Sequence, residues 1–235
     1  MATFNVLHGR SVAHGGVEVA DLRAAARQVD ADVVGLQEVD YHHERSGGVD
    51  QTAEVAEALQ ARHWRFEGTS GPTSGVGLVS RHPVREWVVR RFAAAPVAMP
   101  LMVPGRRSLA QVPDEPRVAL AAVLDSVSGP MTVVTAHLSF VPGWNVAQLR
   151  ALVRWAETLP GPRLLAGDLN LPGTVARLTS RWSPLARVAT YPSWRPRVQF
   201  DHVLADGVPA SAVRDVRSLR LPVSDHCALV VNLDV

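Results

Sequence analysis

Side chains able to bind a hard cation or move a proton sit at the ends of short apolar runs throughout this chain. Asn5 lies inside the run Thr3-Phe4-Asn5-Val6-Leu7, and Gln37-Glu38 follows Asp32-Val33-Val34-Gly35-Leu36. His137 follows Val133-Val134-Thr135-Ala136, and Asp168 and Asn170 follow Leu164-Leu165-Ala166-Gly167. Asp201 opens the run that continues through Val203-Leu204, and Asp225-His226 precedes Ala228-Leu229-Val230. Singly, each fits a bland role: a helix cap, an Asx turn at Asn170, a satisfied core histidine at His137. Together they are hard to dismiss as turns. Strand ends are where sites assemble in folds that mix strands and helices.

The order in which these residues come resembles a known superfamily. Asn5, Leu36-Gln37-Glu38, Thr135-Ala136-His137-Leu138, Gly167-Asp168-Leu169-Asn170, Phe200-Asp201-His202 and Ser224-Asp225-His226 follow one another as they do in endonuclease/exonuclease/phosphatase proteins. That superfamily includes deoxyribonuclease I-like nucleases, abasic-site endonucleases, sphingomyelinases and inositol-polyphosphate phosphatases. The resemblance runs from about residue 3 to the C-terminus. It is specific for the superfamily and weak on the substrate. It implies one domain over residues 1–235, built as a four-layer α/β/β/α sandwich of two mostly antiparallel sheets flanked by helices. It also implies divalent-metal-dependent hydrolysis of phosphate esters.

Within that resemblance each residue type has a task. Phosphoester hydrolysis needs an activated water, neutralised phosphate oxygens and a stabilised leaving oxygen. Glu38 is expected to be the principal metal ligand, with Asn5 and Asp225 near the metal directly or through water. Hard oxygen donors with amide support suit Mg²⁺ or Mn²⁺ better than Zn²⁺. His226 would activate or orient the attacking group, with Asp201 accepting its ring N–H and setting its tautomer. Asp168 is a second candidate base, and sequence does not decide between it and His226. Asn170 and His137 would contact the phosphate, as would Arg45, which follows soon after the metal glutamate. Arg81 reads as structural, and Arg117 as a residue that could face the site. One departure stands out. Many nucleases of the group place an acid just before the central hairpin, paired with the strand-end histidine. Here that stretch is Pro72-Thr73-Ser74-Gly75, and His137 lacks that partner.

The elements that must position these residues are legible as patterns. Apolar runs suggest roughly ten strands, more than one open sheet usually holds. Gly75 to Ser80 and Val84 to Phe92 read as a hairpin around Arg81-His82-Pro83. Arg117 to Leu124 and Met131 to Leu138 read as another across Ser128-Gly129-Pro130. Helical spacing marks Glu18 to Val29, Gln51 to Gln60 and Asn145 to Leu159, with Asn145 as a plausible N-cap. Two proline-rich stretches, Ala93 to Pro116 and Leu171 to Val198, read as long loops, which in compact domains are usually functional or mobile.

Composition narrows the class. The chain has 235 residues, 47% hydrophobic and 20% charged, as expected for a globular α/β protein. Net charge is only +2, and every basic residue is Arg, so any cationic contact to phosphate is a planar guanidinium. The single cysteine, Cys227, excludes an internal disulfide and a thiolate zinc cluster. No signal segment or membrane span is visible, so a cytoplasmic monomer is expected. Arg90-Arg91, Arg106-Arg107, Arg195 with Arg197, and Arg214 with Arg217 and Arg220 cluster, and Trp144, Trp182 and Trp194 lie in or beside loops. Such sets can follow a phosphate backbone, or can simply be scattered surface charge. Met99, Leu101, Met102 and Val103 make the first long loop apolar as well as basic. The expected partner is therefore a phosphate-ester substrate: small, lipid-derived or nucleic acid. A non-catalytic binding module on the same fold is the remaining alternative.

Overall fold

A computed structural model describes residues 1–102, 108–126 and 129–234. In chain order the elements are β1 (Ala2–Asn5), α1 (Val19–Val29), β2 (Val33–Asp40), α2 (Gln51–Ala58), β3 (His63–Gly68), β4 (Ser74–Ser80) and β5 (Val84–Phe92). Next come β6 (Ala98–Met102), β7 (Leu109–Pro113), β8 (Arg117–Ser126), β9 (Gly129–His137), α3 (Trp144–Ala156) and β10 (Arg163–Asp168). The chain closes with α4 (Gly173–Ser180), β11 (Ser183–Pro184), β12 (Asp201–Asp206), β13 (Val213–Leu219) and β14 (Ala228–Leu233).

The strands build two six-stranded sheets, ordered β13-β14-β1-β2-β4-β3 and β11-β12-β10-β9-β8-β5. All pairings in both are antiparallel except β1 with β2 and β9 with β10. Alternation along each strand sorts side chains into layers. On β2, Val33 faces the core between the sheets, while Val34 and Leu36 face a second core with Leu22, Val29, Val55 and Leu59 of α1, α2 and their flank. On β10, Leu164 and Ala166 face the inter-sheet core, while Leu165 meets Leu149, Leu152 and Ala176 of α3 and α4. Three cores between four layers give the α/β/β/α sandwich that the resemblance implies.

The sheets approach closely at one polar point. Gln37 Nε2 donates to Thr135 Oγ1 at 2.9 Å, and Thr3 Oγ1 donates to Gln37 Oε1 at 3.1 Å. Gln37 therefore joins the sheets inside the protein and does not enter the site. Beside it, a Cβ on Gly35 would come within 2.6 Å of Thr135 Oγ1 and 3.2 Å of the Ala166 carbonyl oxygen. Gly35→Ala should cost about 1–3 kcal/mol through this clash, seen as a lowered Tm in thermal unfolding; an unchanged Tm would mean the sheets yield freely.

Several expectations about the elements need correction. Gly75–Ser80 and Val84–Phe92 do not form a hairpin. β4 pairs with β2 and β3, whereas β5 pairs with β8 in the other sheet. The turn at Arg81-His82-Pro83 carries the chain between sheets, and Arg81 anchors it by bonding the Leu59 carbonyl, Asp30 and Asp32. β8 and β9 do pair as a hairpin, although Ser128 lies outside the described residues, as do Val103, Pro104, Arg106 and Arg107. The first long loop holds a two-stranded ribbon, β6 with β7, and the second holds α4 and β11. Asn145 does not precede its helix: α3 starts at Trp144, with Gly143 at the cap position. No helix among the described residues is long and apolar enough to cross a membrane.

Candidate active site

The two parallel pairs lie at the centres of their sheets, and their carboxyl ends lie at one edge of the sandwich. Register places Asn5 beside Gln37, His137 beside Asp168, and Asp168 opposite Asp201. β12 and β14 run antiparallel to their neighbours, so their first residues lie at this same edge. Asp201 starts β12, and Asp225-His226 lies just before β14. That topology brings Glu38, His137, Asp168, Asn170, Asp225 and His226 into one cleft of about 570 Å³, together with Arg45. Asn5 and Asp201 bond to its members from behind.

Local backbone irregularities aim these side chains. A bulge between Gln37 and Val39 breaks the β2–β4 register, and Glu38 sits there at φ 52°. A bulge re-aims one side chain out of the ladder, here into the cleft. Leu7, His8, Asn170 and Ser224 are also left-handed, at φ 47°, 45°, 49° and 77°. Such conformations cost about 1–3 kcal/mol each and persist where the surroundings enforce them. The surroundings do so here. Asn170 N–H donates to Asp168 Oδ1 at 2.9 Å, its Nδ2 donates to the Leu138 carbonyl at 3.0 Å, and its own carbonyl accepts from Asn145 Nδ2 at 2.9 Å. Ser224 Oγ donates to the Asn5 carbonyl and accepts from His226 N–H at 3.0 Å, tying the last turn to β1.

Asn5 arranges the acids. Its Nδ2 lies 2.9 Å from Glu38 Oε1 and 3.1 Å from Asp168 Oδ2, while its Oδ1 accepts from Leu7 N–H at 3.1 Å. In this arrangement Asn5 orients two carboxylates through its Nδ2, and its Oδ1, which accepts one hydrogen bond, keeps a second lone pair. His226 Nδ1 donates to Asp201 Oδ2 at 2.8 Å, which leaves Nε2 toward the cleft, 3.7 Å from Asp168 Oδ2. His137 Nε2 is 3.1 Å from Asn170 Nδ2 and 3.5 Å from Asp168 Oδ2. Ser74 lines the cleft where many relatives would carry an acid, so the neighbours of His137 are an amide and Asp168. Asn170 Nδ2 is directed at Leu138 and His137, so a phosphate oxygen would compete with His137 for it. Arg45 grips the buried Asp40 with two bonds of 2.8 and 2.7 Å and presents its remaining face to the cleft.

The electrostatics divide the site. Burial raises the Glu38 pKa, the Asn5 hydrogen bond opposes this, and the nearby Asp168 raises it further. Asp225 is raised by burial, and Asp168 and Asp201 add to the shift. For His226, burial works against the charged ring, but Asp201 and Asp168 outweigh it and raise the pKa to about 10. Burial pushes His137 down to about 3 against the pull of Asp168, so it is a neutral imidazole. This donor set fits a hard divalent cation. Asp168 and Asp225 add to the rise at Glu38, and Asp168 adds to the rise at Asp225, a repulsion that a dication relieves. Ligand atoms of Asp168, Asp201 and His226 also lie within 4.8 Å of one another. There the Asp201–His226 hydrogen bond joins two of the three residues.

Other cleft residues carried little or no sequence signal. His8, Phe140, Tyr191 and Phe200 line the cleft, with the Tyr191 ring 4.8 Å from the His226 ring. His43 lines it too. Arg117, 3% exposed and paired with Asp114 at 3.3 Å, does face the cleft. Asn145 and Gln148 of α3 support it from below, Gln148 Oε1 accepting from Ser139 N–H at 2.8 Å. A signal existed for these two: buried amides on the core side of an amphipathic helix.

This fold and this cleft are those of a phosphoesterase-type sandwich with acids and histidines at one edge. The chain belongs to the endonuclease/exonuclease/phosphatase family, whose model matches residues 2–226. Its fold is shared with an endonuclease/exonuclease/phosphatase from Beutenbergia cavernae, at 24% identity and a TM-score of 0.66, covering 99% of this chain and 70% of that one. A mannosyl-6-phosphatase from Bacteroides thetaiotaomicron is similar at 16% identity and 0.67, covering 100% and 98%. Sphingomyelinase C from Streptomyces griseocarneus is similar at 15% and 0.64, covering 99% and 98%. No curated protein sequence matches the chain.

Proposed function

We propose that this protein hydrolyses phosphate esters with a divalent cation, Mg²⁺ or Mn²⁺. The observation that carries this reading is the convergence of Glu38, Asp168, Asn170, Asp225 and His226 on one cleft from three separate stretches of chain. Glu38 and Asp225 would hold the cation, with Asn5 holding Glu38 and Asp168 in place. The bound cation would neutralise phosphate oxygens and favour ionisation of water. Asp168 accepts from Asn5 and from Asn170 N–H, so both its oxygens are engaged. His226 Nε2 has no hydrogen bond, which favours it over Asp168 as the group that takes the proton of the attacking water. His226 must be neutral to do so, and positive charge among its neighbouring carboxylates lowers its pKa toward that state. His137, neutral on its cleft side, and Arg45 would contact the phosphate.

A phosphodiester or monoester of a small or lipid-derived molecule fits the mixed lining of Leu101, Phe140 and Phe200. Nucleic acid is the second reading, favoured by the arginines along the cleft. A panel of both ester types, plasmid DNA and abasic-site DNA, each with Mg²⁺, Mn²⁺ or EDTA, tests the proposal. Hydrolysis of at least one member, lost in EDTA, is expected. Turnover indifferent to EDTA, or none on any member, would sink it.

A further inference from the structure

The stretch between Asp168 and Asp201 holds five arginines, Arg177, Arg181, Arg187, Arg195 and Arg197, and no acid. In a chain of net charge +2 this is strong segregation of charge. Folding concentrates it. Arg177 from α4, with Arg187 and Arg197 from the segment leading to β12, lines a second groove of about 360 Å³. Among the described residues none of these three side chains has an ion pair or a hydrogen bond. Several arginines elsewhere, Arg23, Arg45, Arg81, Arg85, Arg91 and Arg163, meet carboxylates. Others, such as Arg62, Arg150 and Arg154, are unpaired among the described residues but line no groove with a second one. Three unpaired guanidinium groups around one groove set this place apart. Guanidinium groups left facing one groove repel each other until an anion joins them.

The groove is separate from the catalytic cleft but shares a wall with it. Along the strand start Gln199–His202, side chains are divided between the two. Gln199 and His202 line the groove, Phe200 lines the cleft, and Asp201 bonds His226. His202 is held there by the Leu171 carbonyl at 2.8 Å, so the wall is fixed at both faces. Trp194, 53% exposed, stands on the segment between Arg187 and Arg197.

We infer that this groove is an accessory anion site, taking phosphate groups of a molecule that carries several of them. The chemistry required is multivalent phosphate, from a nucleic-acid strand or from a free polyphosphate. A molecule with one phosphate in the cleft could extend over the Gln199–His202 wall and lay further phosphates on the arginines. The site itself needs neither the cation nor turnover.

Binding measured in EDTA tests this without any hydrolysis. The probes are a fluorescent 12-residue oligothymidylate, followed by anisotropy, and inorganic tripolyphosphate, followed by calorimetry. The triple variant Arg177→Ala, Arg187→Ala, Arg197→Ala should bind at least one probe about tenfold or more weakly. For the oligonucleotide, the slope of log K against log salt should flatten by about 2, since each phosphate contact on a single strand contributes about 0.7. A control triple at other exposed arginines without partners, Arg62→Ala, Arg150→Ala, Arg154→Ala, should bind as the parent does. Weakening for the oligonucleotide alone names the strand as the source, and weakening for both names phosphate itself. Equal weakening in the two triples, no weakening in either, or no binding of either probe to the parent overturns the site. The probes are bound in EDTA without turnover, whereas the catalytic reading is tested by EDTA-sensitive hydrolysis, so a failed groove and a failed catalytic reading give different results.

Discussion

Glu38→Gln should lower metal-supported phosphoester hydrolysis by about 10³-fold or more while leaving the fold intact. The side chain is aimed by a bulge and does not pack in a core, so its loss removes charge without opening a cavity. Its burial beside Asp168 and Asp225 makes it costly to ionise in the metal-free protein. The same substitution should therefore leave the metal-free Tm unchanged or slightly raised. Metal linkage gives a readout independent of turnover. Mn²⁺ at a hundredfold excess over its Kd stabilises the native state by about 2.7 kcal/mol. That gain should appear in the parent as a raised Tm and shrink or vanish in Glu38→Gln. A variant that keeps both its rate and its Mn²⁺-dependent Tm shift would remove Glu38 from the metal site.

His226→Ala should cost about 10²–10⁴-fold in kcat, the usual range for a positioned acid–base group. Asp201→Asn should cost less, because the ring remains but loses the anion that holds Nδ1–H. The double variant should be no slower than His226→Ala alone, since Asp201 acts through the ring. Independent, multiplying losses would show that Asp201 has a separate task. The pH profile supplies the sign. Asp201 helps to raise the His226 pKa. Without it the pKa falls, the neutral ring persists to lower pH, and the acid limb of kcat/KM should move to lower pH. An acid limb that stays in place would assign that titration to another group.

Much of the site could be read from the chain because its chemistry needs particular residue types at strand ends. Glu38, Asp168, Asn170, Asp225 and His226 were named from their order and context, and all line one cleft. The elements were legible for the same kind of reason. Continuous apolar runs such as β2 and β10 mark strands buried on both faces and helical spacing marks the buried side of α1, α2 and α3, whereas the four-layer order was implied by the resemblance. What failed was partner choice. Two apolar runs separated by a tight turn look like a hairpin, yet β4 and β5 belong to different sheets. Strand pairing is a long-range matter, and neither Arg81 nor Pro83 encodes it. Asn145 looked like a cap because asparagine often is one. The buried contact with the Asn170 carbonyl, 25 residues away, overrode that local preference. The ribbon β6–β7 was hidden among prolines, and His8, Tyr191 and Phe140 carry no motif.

The opening set of acids, amides and histidines is thus a property of the sequence. So are the class of chemistry it suits and the amphipathic elements that carry it. Tertiary structure alone decided how those side chains are used. It turned Asn5 toward two carboxylates, sent Gln37 between the sheets, and freed Nε2 of His226 by engaging Nδ1 with Asp201. It also gathered Arg177, Arg187 and Arg197 around one groove. The physical reason is that residue type follows from chemistry and burial, which act locally. Hydrogen-bond direction and charge proximity arise only when distant strands meet at one edge.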